Sequence, residues 1–99
     1  MTARQILEKT RTLIDQESKW CQNKPRSVEN GEVIQRDLFT AMCDAARMYD
    51  YHLGSQDWER ARDFVFAETR GHGITRFNDA KDTTYAHVIA LLERAMEKL

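Results

Sequence analysis

Ninety-nine residues, 41% hydrophobic and 31% charged, have the length and balance of one globular domain, which excludes a disordered chain. Fifteen Lys and Arg against sixteen Asp and Glu leave a formal net charge of −1, so nucleic-acid binding would need a local basic patch. Cys21 and Cys43 make no disulfide framework, the charged start shows no secretory leader, and no apolar run reaches the ~20 residues of a membrane span, as expected of a cytoplasmic protein.

The first predicted element is a helix over about 3–17. Thr2 and Gln5 stand at capping-box spacing, where the hydroxyl accepts from one orphan amide and the Gln side chain reaches back to another. Ile6, Leu7, Thr10, Leu13 and Ile14 recur every three or four residues and form one inward stripe.

Residues 18–36 carry no helical period. Pro25 lacks an amide donor and biases Lys24 toward extended backbone. Glu29-Asn30-Gly31 is a turn signal, because Asn and Gly tolerate positive φ. Val28, Val33 and Ile34 flank it, either as a short hairpin or as an ordered loop, and Trp20 is expected to anchor this excursion to the helices. The stretch from Lys19 through Lys24 and Arg26 to Arg36 is the best basic candidate for nucleic acid. Glu29, Glu32 and Asp37 interrupt it, so a solvated mixed-charge surface is the reading preferred.

A second helix is expected over about 37–52, with Leu38, Phe39, Met42, Ala45, Ala46, Tyr49 and Leu53 inward and Gly54 past its end. Ser55 offers an N-cap for a third, about 56–70, with Asp57 and Glu59 in its positive first turn and Trp58, Ala61, Phe64, Val65 and Ala67 inward. Gly71 and Gly73 stop it. A link from Ile74 to Lys81 contains the polar turn Phe77-Asn78-Asp79, and Asp82 or Thr83 caps a fourth helix over about 83–98. Its stripe of Tyr85, Val88, Ile89, Leu92, Ala95, Met96 and Leu99 is the clearest amphipathic pattern in the chain. The predicted fold is therefore mostly α: a single four-helix domain over 1–99 with an irregular or hairpin excursion between helices 1 and 2. A homodimer interface is one source of added stability for so small a core.

No catalytic residue, metal site or cofactor is predicted. His52, His72 and His87 lack the close ligand pairs of a structural zinc site. Cys43 reads as a small core residue and Cys21 as a more exposed thiol. Asp57, Glu59 and Asp82 sit where helix N-termini already favour acids. The segment of most interest is Gly73 to Asp79, where Arg76, Phe77, Asn78 and Asp79 precede a helix start that can hold an anion. Satisfaction of local backbone amides by Asn78 and Asp79 is the simpler reading. The candidate binding residues are Trp20, Lys24, Arg26, Arg76, Phe77, Asn78 and Asp79.

Arg76-Phe77-Asn78-Asp79, then Thr83-Thr84 and Val88 through Ala95, resemble the C-terminal signature of an uncharacterised family of small bacterial and phage proteins. In that family an aromatic-Asn-Asp turn precedes a Leu-rich C-terminal helix. Trp20, the stretch near Gly31 and the Ala-rich second helix are similar to its N-terminal pattern. The resemblance implies a bacterial or phage source and assigns no residue a role. The expected function is a small non-enzymatic interaction module that binds a protein partner, in one version a phage-encoded inhibitor of a host defence system. Trp20, Trp58, Tyr49, Tyr51 and Phe77 are its candidate surface anchors. The alternative is a nucleic-acid-binding protein that uses residues 19–36.

Overall fold

The computed structural model describes residues 2–48 and 54–99. Helix α1 spans Ala3–Leu13 and opens with the capping box: the Thr2 hydroxyl accepts from the Gln5 amide, and the Gln5 side chain accepts from the Thr2 amide. It stops at Leu13, short of the expected 17, because Ile14 leaves helical angles. The Ile14 carbonyl then accepts from the Tyr85 hydroxyl at 2.7 Å rather than from an amide one turn on. Ile14 remains fully buried, so its place in the apolar period reported burial and not helix. A single 3₁₀ turn follows over Glu17–Lys19.

The excursion is an ordered antiparallel hairpin, β1 (Arg26–Glu29) and β2 (Glu32–Arg36). Asn30 and Gly31 both take positive φ, 51° and 79°, which matches the right-handed twist of the strands. A two-stranded ribbon alone is marginal in water, and here a third segment steadies it. Trp20 bridges Arg36 in parallel, and the Cys21 amide donates to the Arg36 carbonyl at 3.2 Å. The Gln35 side-chain amide donates to the carbonyls of Ser18 and Trp20, and the Asp37 amide donates back to Pro25.

Helix α2 (Leu38–Met48) starts from Asp37, whose carboxylate accepts from the Thr40 amide at 2.7 Å and whose carbonyl accepts from Ala41. Tyr49, Tyr51, His52 and Leu53 lie outside the described residues. Helix α3 (Gln56–Glu68) is capped by Ser55, whose hydroxyl accepts from the Trp58 amide. It ends two residues before the expected 70, with Arg70 and Gly71 at φ 56° and 84°. The expected link from Ile74 is largely a further helix, α4 (Ile74–Asp79), entered through Gly73 at φ 92°. Helix α5 (Tyr85–Glu97) is capped by Thr84, not by Asp82 or Thr83. The Thr84 hydroxyl accepts from the His87 amide, and His87 Nδ1 accepts from the Thr84 amide, a capping box with His in the usual Glu or Gln position.

The described residues thus form five helices and a two-stranded sheet. This mixed architecture replaces the predicted mostly α, four-helix domain and excludes an all-α description. Two physical reasons account for the difference: α4 is too short to show a period, and the hairpin gains its stability from the Trp20 segment rather than from strand composition.

Helix α1 lies against α2, α3 and α5, so its Ile6 and Leu7 sit at the centre of the core. Ala41, Ala45, Ala46, Ala61 and Ala95 are fully buried and let the backbones approach closely, while Leu38, Met42, Val65, Val88, Leu91 and Leu92 fill the space between. Leu91, left off the predicted stripe, is fully buried. Thr10 is buried without penalty because its hydroxyl donates to the Ile6 carbonyl at 2.8 Å.

Candidate functional site

The predicted site residues fall into two groups with different work to do. Asn78 is completely buried, and all of its side-chain valences are used. Its Oδ1 accepts from the Trp20 indole at 2.6 Å and from the Leu38 amide at 3.0 Å. Its Nδ2 donates to the Cys21 carbonyl at 3.1 Å and to Asp79 Oδ1 at 2.8 Å. That Asp79 oxygen also accepts from the Asn23 amide, whose residue holds positive φ at 64°. Gln22 Nε2 points at the carbonyls of Asn78, Ala80 and Thr83, so the open C-terminal end of α4 is filled as well. Asn78 therefore acts as a polar bolt joining the Trp20–Asn23 segment, the start of α2 and the end of α4. A side chain so enclosed has no valence left for a ligand.

Trp20 is part of the same bolt, half-buried against the core with its ring 6.2 Å from that of Tyr85. Trp58 is buried in the core, so neither Trp is an exposed anchor. Phe77 packs half-buried on the core. Arg26 is drawn to Asp44, which also receives Arg36 Nε at 2.8 Å. The anion reading of the turn also loses its place, because the first turn of α5 is occupied by its own capping box.

The remaining members lie around α4. A groove of about 580 Å³ between α3 and α4 is lined by Phe39, Arg62, Asp63, Phe66, His72, Ile74, Thr75 and Arg76, with a mostly apolar wall. Phe39 and Phe66 are 37% and 46% exposed and line the same groove. Phe39 is held in place edge-on to the buried Trp58, with ring centroids 6.0 Å apart. Across Phe39 and Thr75 the groove adjoins a smaller depression, of about 330 Å³, holding Lys24, Asp37, Thr40 and Asp79. Across His72 and Arg76 it adjoins another, lined by Phe77, Ala80 and Thr83. Lys24, Arg76, Phe77 and Asp79 are thus brought to one surface, and Trp20, Arg26 and Asn78 are not.

Phe39 was expected inward and Phe66 had no assigned place. The missed signal is local. Phe64, Val65 and Phe66 are consecutive, and a helix of 3.6 residues per turn cannot turn all three inward. A second groove, between α1 and α5, has a volume of about 600 Å³ and a more polar lining, and its charges pair with one another: Arg4 with Glu8 and Arg11 with Glu93.

Burial pushes the Asp37 carboxyl above the usual carboxylate range, against the Thr40 hydrogen bonds that pull it down. Burial likewise raises the Cys21 thiol, helped by the nearby Asp37 charge, so Cys21 is a buried thiol and not the exposed one expected. Cys43, expected in the core, is only partly covered, and burial raises its thiol too. A raised thiol is a poor nucleophile at neutral pH. Among the described residues, no three His, Cys, Asp or Glu side chains gather closely enough to hold a metal ion, and no helix is long and apolar enough to cross a membrane.

The profile of a family of unknown function (DUF6197) matches the chain over residues 1–98, and the chain belongs to that family. No curated protein and no solved structure matches it.

Proposed function

We propose that this member of the family is a small binding module that docks a protein partner on the groove between α3 and α4 and performs no chemistry of its own. The observation that carries this reading is the pair of exposed phenylalanines, Phe39 and Phe66, that line one mostly apolar groove together with Arg62 and Arg76. Aromatic and arginine side chains around a pocket are the composition of interface hot spots. Protein is preferred to nucleic acid because three of the four cations in the 19–36 segment are paired within the molecule, which leaves Lys24 alone outside an ion pair among the described residues. Arg26 and Arg36 share Asp44, Lys19 pairs with Asp15, and Glu29 faces Glu32 next to the hairpin turn.

A narrower form of the reading, a phage-encoded inhibitor of a host defence system, rests on the size of the chain and on the resemblance of its C-terminal signature to small bacterial and phage proteins. Cytoplasmic placement rests on the two free thiols.

The test is affinity capture from a bacterial host lysate with the wild type, Phe66→Asp and the control Glu8→Gln on the opposite groove. Thermal melts establish that all three are folded. A specific protein retained by wild type and control and lost by Phe66→Asp is the expected result. Retention by Phe66→Asp, or no specific partner even at low salt, overturns the reading.

A further inference from the structure

Resting on that reading, we propose that the partner segment seated in the α3–α4 groove carries an apolar side chain with a carboxylate beside it. The charge around the groove supports this choice. Among the described residues, Asp63 is the only carboxylate lining it, and it lies 3.3 Å from Arg62, so this acid and this arginine largely cancel. Arg76 lines the same groove, and no carboxylate among the described residues lies within ion-pair distance of it. Arg76 is also shared with the adjoining depression of His72, Phe77, Ala80 and Thr83, whose lining holds no acid.

The Arg76 end of the groove is therefore locally positive, whereas the opposite end, across Phe39 and Thr75, adjoins Asp37 and Asp79 with Lys24, on a chain whose formal net charge is −1. An acidic segment is steered to this place rather than to the molecule as a whole. The planar guanidinium of Arg76 suits a carboxylate, which it can meet with two parallel hydrogen bonds. The apolar wall between Phe39 and Phe66 takes the neighbouring side chain. Charge and apolar surface lie side by side, so the ligand must carry both within a few residues.

The experiment is selection of a random twelve-residue peptide display library on the immobilised full-length protein, followed by affinity measurement on the selected peptides. Enriched sequences should place Asp or Glu within about two residues of Phe, Trp, Leu or Met. Their binding should weaken about tenfold or more in Arg76→Glu, less in Arg76→Lys, and should fall as salt rises. Enrichment of neutral or basic peptides that Phe66→Asp no longer binds overturns the acidic assignment and leaves the groove standing. Acidic peptides indifferent to Arg76→Glu do the same. Peptides that bind Phe66→Asp as well as wild type, or no enrichment at all, overturn both the acidic assignment and the groove.

Discussion

Replacing Asn78 with Ala removes one side chain and strands two backbone groups and an indole N–H. The Leu38 amide and the Cys21 carbonyl lose their partner in a buried setting, and the Trp20 indole loses its partner in a half-buried one. A buried polar group left without a partner costs about 1–3 kcal/mol; the indole can relax toward water, so the sum expected is about 3–6 kcal/mol. Against a total of roughly 5–15 kcal/mol for a domain of this kind, that is a large fraction. Asn78→Asp separates hydrogen bonding from packing. It keeps the acceptor for Trp20 and Leu38 but replaces the donor to Cys21 with a carboxylate beside Asp79. Such a carboxyl has its folded pKa raised by burial and by Asp79, so the folded state holds the proton more tightly than the unfolded one. Its stability relative to wild type must fall as pH rises through the carboxylate range, and recover as pH falls and a protonated carboxyl can donate to the Cys21 carbonyl. Urea unfolding followed by tryptophan fluorescence at about pH 5 and about pH 8 measures both effects. An alanine loss below about 1 kcal/mol, or an aspartate deficit that does not change with pH, would refute the polar-bolt account.

Asp37 offers a related test. Its folded pKa is raised by burial, so the stability attached to its protonated form is lost as pH rises through that pKa. Asp37→Asn keeps the cap on the Thr40 amide and should gain on wild type from acid to neutral pH, whereas Asp37→Ala should lose about 0.5–2 kcal/mol by calorimetry. Glu68 runs the other way. The Lys98 hydrogen bond, then Arg94, holds its carboxyl below the usual range, so its contribution is present at neutral pH and disappears as pH falls through the folded pKa. Because both partners are more than half exposed, Glu68→Gln should cost less than about 1 kcal/mol, and equal unfolding midpoints in low and high salt would argue against the ion pairs. His87→Glu should stabilise the start of α5 by about 0.3–1 kcal/mol, since a carboxylate fits both the capping box and the positive helix end; a lower Tm at neutral pH would speak against that box.

Where the local chemistry is self-sufficient, it could be read directly. Thr2 and Gln5 cap each other, and Ser55 caps Trp58, without any help from the rest of the fold. The Asn30-Gly31 turn was equally visible, but whether it joined paired strands depended on Trp20 and Gln35 arriving beside β2. Helix α4 was missed because its six residues are fewer than two turns, and its sides are shared between the groove and Asn78. The end of α1 was overrun because Ile14 is buried by the same face that buries the helix. Asn78 and Asp79 were singled out for their residue types, yet their partners lie up to 58 residues away and no spacing rule reaches that far. The groove was legible only as a surplus: one aromatic too many in Phe64-Val65-Phe66 for the inward face.

Helix α4 belongs to both structures at once. Ile74, Thr75 and Arg76 form a wall of the groove, while Asn78 and Asp79, one turn on, lock its far end to Trp20 and Asn23. The wall is thereby held by hydrogen bonds of the fold itself, which in the proposed docking would lower the ordering entropy lost on binding. In the proposed docking, the Trp20–Asn78 pairing holds α4 in place while substitutions at Phe39, Phe66 and Arg76 change what the groove accepts.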